Sequence, residues 1–263
     1  MTVWLMYISL GAFAGVLAGL LGVGGGLVIV PVLTFIFTAQ HLPEAHILHL
    51  ALGTSLASIM FTSISSLRAH HGRGAVDWVV VRRISAGIMI GTFGGSWVAA
   101  QLSTNFLKIF FIVFLYYVAT QMLLNIKPKP QRQLPGWAAM SGVGGVIGGV
   151  SSLVGIGGGT MSVPFLVWCN IAIHRAIGTS AAIGFPIALA GAIGYMVNGL
   201  SVPLPQYSLG YVYLPALAGI AATSIVTAPL GAKLAHSLPI DKLKKIFALL
   251  LVVMGTKMLL SLF

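Results

Sequence analysis

Apolar runs of about 20 residues, the length that crosses the ~30 Å hydrocarbon core of a bilayer, recur from one end of this 263-residue chain to the other. No stretch between them is long enough for a separate soluble domain. Only 6% of the residues are charged and 58% are hydrophobic, whereas a solvated surface needs roughly 25% charged residues. Hydrocarbon must therefore be the solvent over most of the surface. The chain is expected to be an all-α, multi-pass protein of the cell (inner) membrane, with the lipid bilayer as its largest partner.

A net charge of +11 would suit a phosphate backbone. The basic residues, however, come in short bursts between apolar runs, which is the distribution of cytoplasmic loops. No nucleic-acid partner is expected. The single cysteine, Cys169, excludes an intramolecular disulfide and a cysteine-based metal cluster and reads as a small packing residue. The N-terminus has no Lys or Arg before its apolar run, so it reads as the first membrane segment and not as a signal peptide.

The chain repeats itself. Residues 20–33, LLGVGGGLVIVPVL, match residues 153–166, LVGIGGGTMSVPFL. The heptapeptide from His49 to Ser55 matches that from His174 to Ser180, and Gln121-Met122-Leu123-Leu124 matches Lys257-Met258-Leu259-Leu260. Three blocks in one order mark two membrane repeats, 1–126 and 134–263, joined by a cytoplasmic linker, 127–133, whose two prolines cannot continue a helix. Each half shows five apolar segments, at about 3–22, 27–38, 46–67, 78–101 and 106–125, then 136–154, 160–171, 175–197, 209–232 and 243–262. The second of each set is too short to span and reads as a broken or re-entrant helix.

Loop charge decides between two topologies. If all ten segments change sides, the second half is inverted, and 12 of the 14 basic residues fall inside, Lys108 and Lys257 being the exceptions. If the short segments only dip in, the halves are parallel and the count is 8 inside and 6 outside. The positive-inside bias favours inverted repeats, a common construction of secondary transporters whose sites lie where broken helices meet.

Gly22, Gly24, Gly25 and Gly26 precede one short segment, and Gly155, Gly157, Gly158 and Gly159 the other. Such blocks break a helix. A helix restarting after them presents unpaired N–H groups and a positive dipole end, which attract anions. Close helix packing is the other reading. It is preferred for Gly11 and Gly15 and for the Gly87-Gly91-Gly95 stripe, while duplication favours binding for the two blocks. Neither block is a nucleotide loop, since no Lys-Ser or Lys-Thr follows and Gly-x-Gly-x-x-Gly is not completed. Thr54, Ser55, Thr179 and Ser180 either donate to an oxyanion or bond back to the preceding turn. His49 and His174 are interfacial side chains, donors to the anion or proton carriers.

The three acidic residues, Glu44, Asp77 and Asp241, all fall in expected loops. A cation or proton carrier usually places a carboxylate within the membrane, so the substrate is expected to be a small anion. An enzyme is not expected: the histidines are scattered and the core has no carboxylate to pair with them. No cofactor and no metal is expected. An outward-moving anion gains ~2.3 kcal/mol per 100 mV of inside-negative potential, which makes export the simpler direction.

The duplicated Gly-x-Gly-Gly-Gly with its Val-Pro, the Gly-Thr-Ser triplets and the two-half layout resemble the TauE/SafE sulfite exporter family over essentially the whole chain. That resemblance implies a multi-pass permease for sulfite or an organosulfonate. The expectation is alternating access around one central site framed by both Gly blocks. The alternative is a membrane scaffold or assembly factor, for which packing glycines also serve. Homo-oligomerisation is left open.

Overall fold

The structure, a computed structural model, describes residues 2–124, 133–235, 237 and 240–262, the side chains of residues 240–243 excepted. Apart from Gln133, the expected linker lies outside the described residues. Ten α-helices follow one another: α1 (Thr2–Leu21), α2 (Gly26–Ala39), α3 (Ile47–His71), α4 (Trp78–Gln101), α5 (Thr104–Leu123), α6 (Trp137–Val154), α7 (Gly159–Trp168), α8 (Ile173–Gly199), α9 (Leu214–Ala235) and α10 (Ile240–Leu260). Each overlies one of the ten apolar segments read from the sequence. One element is not foreshadowed there. Ser208–Leu209 and Val212–Tyr213 form a two-residue antiparallel pair, β1 and β2, so the ninth helix starts five residues later than its apolar run.

Among the described residues, six helices have both the length and the apolarity to cross a membrane: α1, α3, α5, α6, α8 and α9. The 24-residue α4 has the length, but it carries Arg82 and Arg83 near its start. At 1.5 Å per residue the 14-residue α2 and 10-residue α7 reach only about 21 and 15 Å, short of a bilayer core. Both end alike. The N–H of Leu42 returns to the Phe37 carbonyl and that of Ile171 to Leu166, with His41 (φ 55°) and Asn170 (φ 64°) in the left-handed region. This is the Schellman closure, which satisfies the last carbonyls of a helix that must stop.

α3 and α8 form the centre. In their most apolar windows 83% and 78% of residues are buried, against 39–44% for α1, α5, α6 and α9. The two run antiparallel: Gly53 lies against Tyr195, Leu56 against Gly191 and Ser63 against Gly184. Around them the halves exchange partners. α1 packs on α9 and α6 on α4; α9 covers α3 and α4 covers α8. The outward faces carry large apolar residues such as Ile90, Val226 and Ile246, which are 76%, 69% and 70% exposed. Such a belt suits lipid and not water. Lys257, near the end of α10, stands 4.6 Å above the Phe35 ring of α2, a cation–π contact that holds its ammonium against the protein.

The peripheral contacts rest on glycine. Gly11, Gly15 and Gly19 of α1 face Ile220, Ser224 and Ala228 of α9, and Gly87, Gly91 and Gly95 of α4 face Ser141, Gly145 and Gly149 of α6. Without a hydrophobic drive between helices in lipid, close backbone approach supplies the association. A methyl group at Gly87 would collide with the Ser141 carbonyl, whereas one at Gly94 meets nothing within 4 Å. Gly87→Ala should therefore destabilise the protein by about 1–3 kcal/mol. Gly94→Ala should be neutral or stabilising by up to about 1 kcal/mol. Thermal unfolding of the purified variants in detergent, followed by size exclusion, separates the two outcomes.

Candidate functional site

The two glycine blocks meet beside the middle of α3. After α1 the chain turns through Gly22, Gly24 and Gly25, at φ 67°, 77° and 80°; after α6 it turns through Gly155 and Gly158, at 67° and 75°. These angles exclude most side chains. The blocks also touch. Gly26 abuts the Gly155 carbonyl, Gly159 abuts the Gly22 carbonyl, and Gly24 faces Gly157. The Gly157 N–H donates to the Val23 carbonyl at 3.3 Å. Ile59, the midpoint of α3, packs on both Gly24 and Gly157.

The short helices therefore start at the centre of the fold. Val28 and Ile29 both return their N–H to the Gly25 carbonyl, as Met161 and Ser162 do to Gly158. The N–H groups ahead of them, at Gly26, Leu27, Gly159 and Thr160, have no partner within their own helix. Two positive dipole ends are thus directed at one region. Pro31 and Pro164 lie inside α2 and α7 and remove one donor from each first turn and a half.

The Gly-Thr-Ser triplets bind backbone of the opposite half. Ser55 Oγ donates to the Gly155 carbonyl at 2.8 Å, and Ser180 Oγ donates to the Gly22 carbonyl at 3.0 Å. Thr54 Oγ1 accepts the Tyr213 N–H and Thr179 Oγ1 accepts the Asp77 N–H, each at 2.9 Å. Gly53 and Gly178 admit the carbonyls of Tyr211 and Ala75. Each triplet thus clamps one Gly block and one chain entering α4 or α9. The sequence allows anion contact or a bond to the preceding turn; the bonds these four side chains make are neither. Ser180 also contacts Ser162 Oγ of α7 at 2.8 Å.

The two histidines occupy unlike surroundings. His49 is buried, and its Nε2–H is shared between the carbonyls of Ala99 and Leu102, both at 3.1 Å. It closes the C-terminal end of α4, and its ring stacks on Tyr211 with centroids 5.1 Å apart. His174, at the equivalent position, is exposed in the first turn of α8. The structure thus brings the Gly blocks and triplets together and leaves the histidines at the ends of α3 and α8. Among the described residues, no group of three His, Cys, Asp or Glu side chains could hold a metal ion.

The centre holds one feature that the repeat does not announce. A crevice lined by Ala18, Gly22, Gly24, Ser63, Ser66, Ala181 and Gly184 encloses about 10 Å³, room for about one water. Its signal in the sequence is the run Thr62-Ser63-Ile64-Ser65-Ser66 in an otherwise apolar segment.

Comparison with known proteins agrees with this architecture. The profile of the family Sulfite exporter TauE/SafE matches residues 7–258. A Haemophilus influenzae protein named "Probable membrane transporter protein" is 43% identical over 260 residues, covering 98% of each chain. A protein of the same description from Methanocaldococcus jannaschii is 28% identical, covering 97% of this chain and 95% of its own. A third, YunE of Bacillus subtilis, is 28% identical over 74% of this chain and 79% of its own. No solved structure matches. With ten helices among the described residues, six of them able to span a bilayer, this chain is a multi-pass membrane transporter and belongs to the TauE/SafE sulfite exporter family.

Proposed function

We propose that the protein exports a small sulfur-containing oxyanion, sulfite or an organosulfonate, by alternating access around a central site framed by Gly22–Gly26 and Gly155–Gly159. The observation that carries this reading is the meeting of α2 and α7 start points at the midpoint of α3. Helix N-termini favour anions without a buried cation. Among the described acidic side chains, Asp77 caps α4 and pairs with Arg175 at 3.1 Å, and Glu44 lies in an exposed turn. Neither is available to hold a cation in the core. The name of the family supports a sulfur oxyanion as substrate, and the membrane potential favours its outward movement.

We further propose that the halves are inverted repeats. Support comes from the ends of the helices. Arg175 and Thr179, at the start of α8, contact Asp77, in the turn between α3 and α4. Thr54, near the start of α3, contacts Tyr213, at the start of α9. Such contacts support equivalent segments on opposite sides, the arrangement that the charge count favours. Parallel halves would place Arg175 across the bilayer from Asp77.

Two experiments test these readings. In inside-out vesicles, uptake of labelled sulfite should follow an imposed potential and be lost in Gly25→Leu and Gly158→Leu variants verified as inserted. Flux of an organosulfonate alone would change the substrate and keep the mechanism. Absence of any anion flux, with the variants behaving as wild type, would overturn the transport mechanism and favour the scaffold. For topology, single cysteines replace His41 and Asn170 in a Cys169→Ser background. An impermeant maleimide applied to intact cells should label the first and spare the second. Equal labelling of both would mean parallel halves.

A further inference from the structure

The repeat extends to a further block that emerges only from the hydrogen bonding. Gly74-Ala75-Val76-Asp77 enters α4 and Gly210-Tyr211-Val212-Tyr213 enters α9. Both turn through a left-handed glycine, Gly74 at φ 66° and Gly210 at φ 54°. The next N–H returns to the preceding long helix, Ala75 to the His70 carbonyl and Tyr211 to the Tyr195 carbonyl, each at 3.1 Å. The carbonyls of Ala75 and Tyr211 then seat on Gly178 and Gly53. The N–H groups of Asp77 and Tyr213 donate to Thr179 and Thr54, each at 2.9 Å. One chain thus lies across each end of the α3–α8 pair.

The backbones are alike and the side chains are not. Tyr211 is 3% exposed. Its ring stacks on His49, lies 5.9 Å from His46 and meets Tyr195 edge to face at 6.3 Å. Tyr213 adds an edge contact with Phe37 of α2 at 5.5 Å, and a methyl group at Gly210 would strike the Met196 carbonyl. At the other end Ala75 presents a methyl where Tyr211 presents a ring, and His174, the counterpart of His49, is exposed. A methyl group at Gly74 would meet nothing within 4 Å. Asp77, the counterpart of Tyr213, pairs with Arg175, whose side chain is 55% exposed. The counterpart of Arg175 is Leu50, which is fully buried. An exposed ion pair holds weakly, whereas interlocked buried rings hold more strongly. The crevice bordered by Ala181 and Gly184 also lies on the weaker side, just beyond Thr179 on α8.

We propose that these two chains are the gates at the two mouths of the transport path, and that they are unequal. Tyr211 secures the mouth at the start of α3, and the Ala75–Asp77 chain is the gate that opens more readily. This rests on the alternating-access reading above and deepens it by naming the gates and their order. An exporter loads from the side of the basic turn. A weak gate there and a strong one opposite admit the ion before the far mouth opens.

The test is the reactivity of two equivalent buried positions. Ala57 and Ala182 are 1% and 2% exposed and follow Thr54 and Thr179 on α3 and α8; Ala57 clusters with Val212 of the hairpin. Single cysteines replace them in a Cys169→Ser background and are treated with trimethylammonioethyl methanethiosulfonate, an impermeant cation. Ala57→Cys is treated in intact cells and Ala182→Cys in inside-out vesicles, with rates normalised to the exposed His41→Cys and Asn170→Cys. Ala182→Cys should react about tenfold faster than Ala57→Cys, in proportion to the open population at its mouth. Tyr211→Ala should speed Ala57→Cys about tenfold and leave Ala182→Cys within about twofold. Tyr211→Phe, which keeps the ring, should change neither rate. Asp77→Asn, which can still cap α4 but loses the ion pair, should speed Ala182→Cys alone. Every variant is first required to match its parent in thermal stability; if Tyr211→Ala does not, the parental contrast and Asp77→Asn decide. Equal normalised rates in the two parents, or an unchanged Ala57→Cys rate in folded Tyr211→Ala, with robust sulfite flux, would overturn the unequal gates and leave the transport function standing. Absence of wild-type flux for sulfite and for organosulfonates would overturn the function itself, and the gates with it.

Discussion

The contact on which this fold turns is backbone against backbone. Gly26 seats on the carbonyl of Gly155, and Gly159 seats on that of Gly22. A side chain at any of these points would separate the blocks and leave a void in a medium that offers no water to fill it. Breaking two helices in the middle of a membrane exposes N–H and C=O groups that must find partners. Here Ser55 and Ser180 serve two of the carbonyls directly, and the Gly157 N–H serves a third. The irregular backbone is tolerated because it is buried against the opposite half, not against lipid.

That contact determines the rest of the packing. Each Gly-Thr-Ser triplet holds one Gly block with its serine. With its threonine it holds the chain entering a fourth helix of the opposite half. The first helix of each half then lies on the fourth helix of the other. Each half buries its first and fourth helices against the other half, so neither has a core of its own in the usual sense of a domain. Breaking one clamp loosens elements from both halves at once. Such coupling is what a rocking motion of one bundle against another requires.

Much of this is legible in the letters. Ten apolar runs give ten helices because hydrocarbon leaves the backbone little choice, and the glycine blocks mark the breaks because few other residues carry a chain through φ near +75°. The boundary of the ninth helix is not legible: the apolar run read from Leu209 continues into the helix without interruption, yet Gly210 (φ 54°) bends residues 208–213 into a hairpin. The partners of Thr54 and Ser55 are also hidden, since they lie 159 and 100 residues away. His49 and His174 look alike in sequence but differ in burial, His49 being packed against the end of α4 and the Tyr211 ring. The crevice beside Gly22 and Gly24 is obscured for a related reason. A repeat draws the eye to positions that agree, whereas the crevice arises where Leu56 and Ile59 disagree with Ala181 and Gly184.

The glycine contact also bears on selectivity. In the proposed site two helix ends, each equivalent to roughly half a positive charge, converge without a carboxylate to balance them. On the proposed reading that arrangement is electrostatically unfavourable when empty and an anionic substrate relieves it. A cation would add to the imbalance. A permease must nevertheless release what it binds. Backbone N–H groups bind more weakly than a buried Arg would. A site made of them can select charge sign while leaving the ion free to move on down the potential.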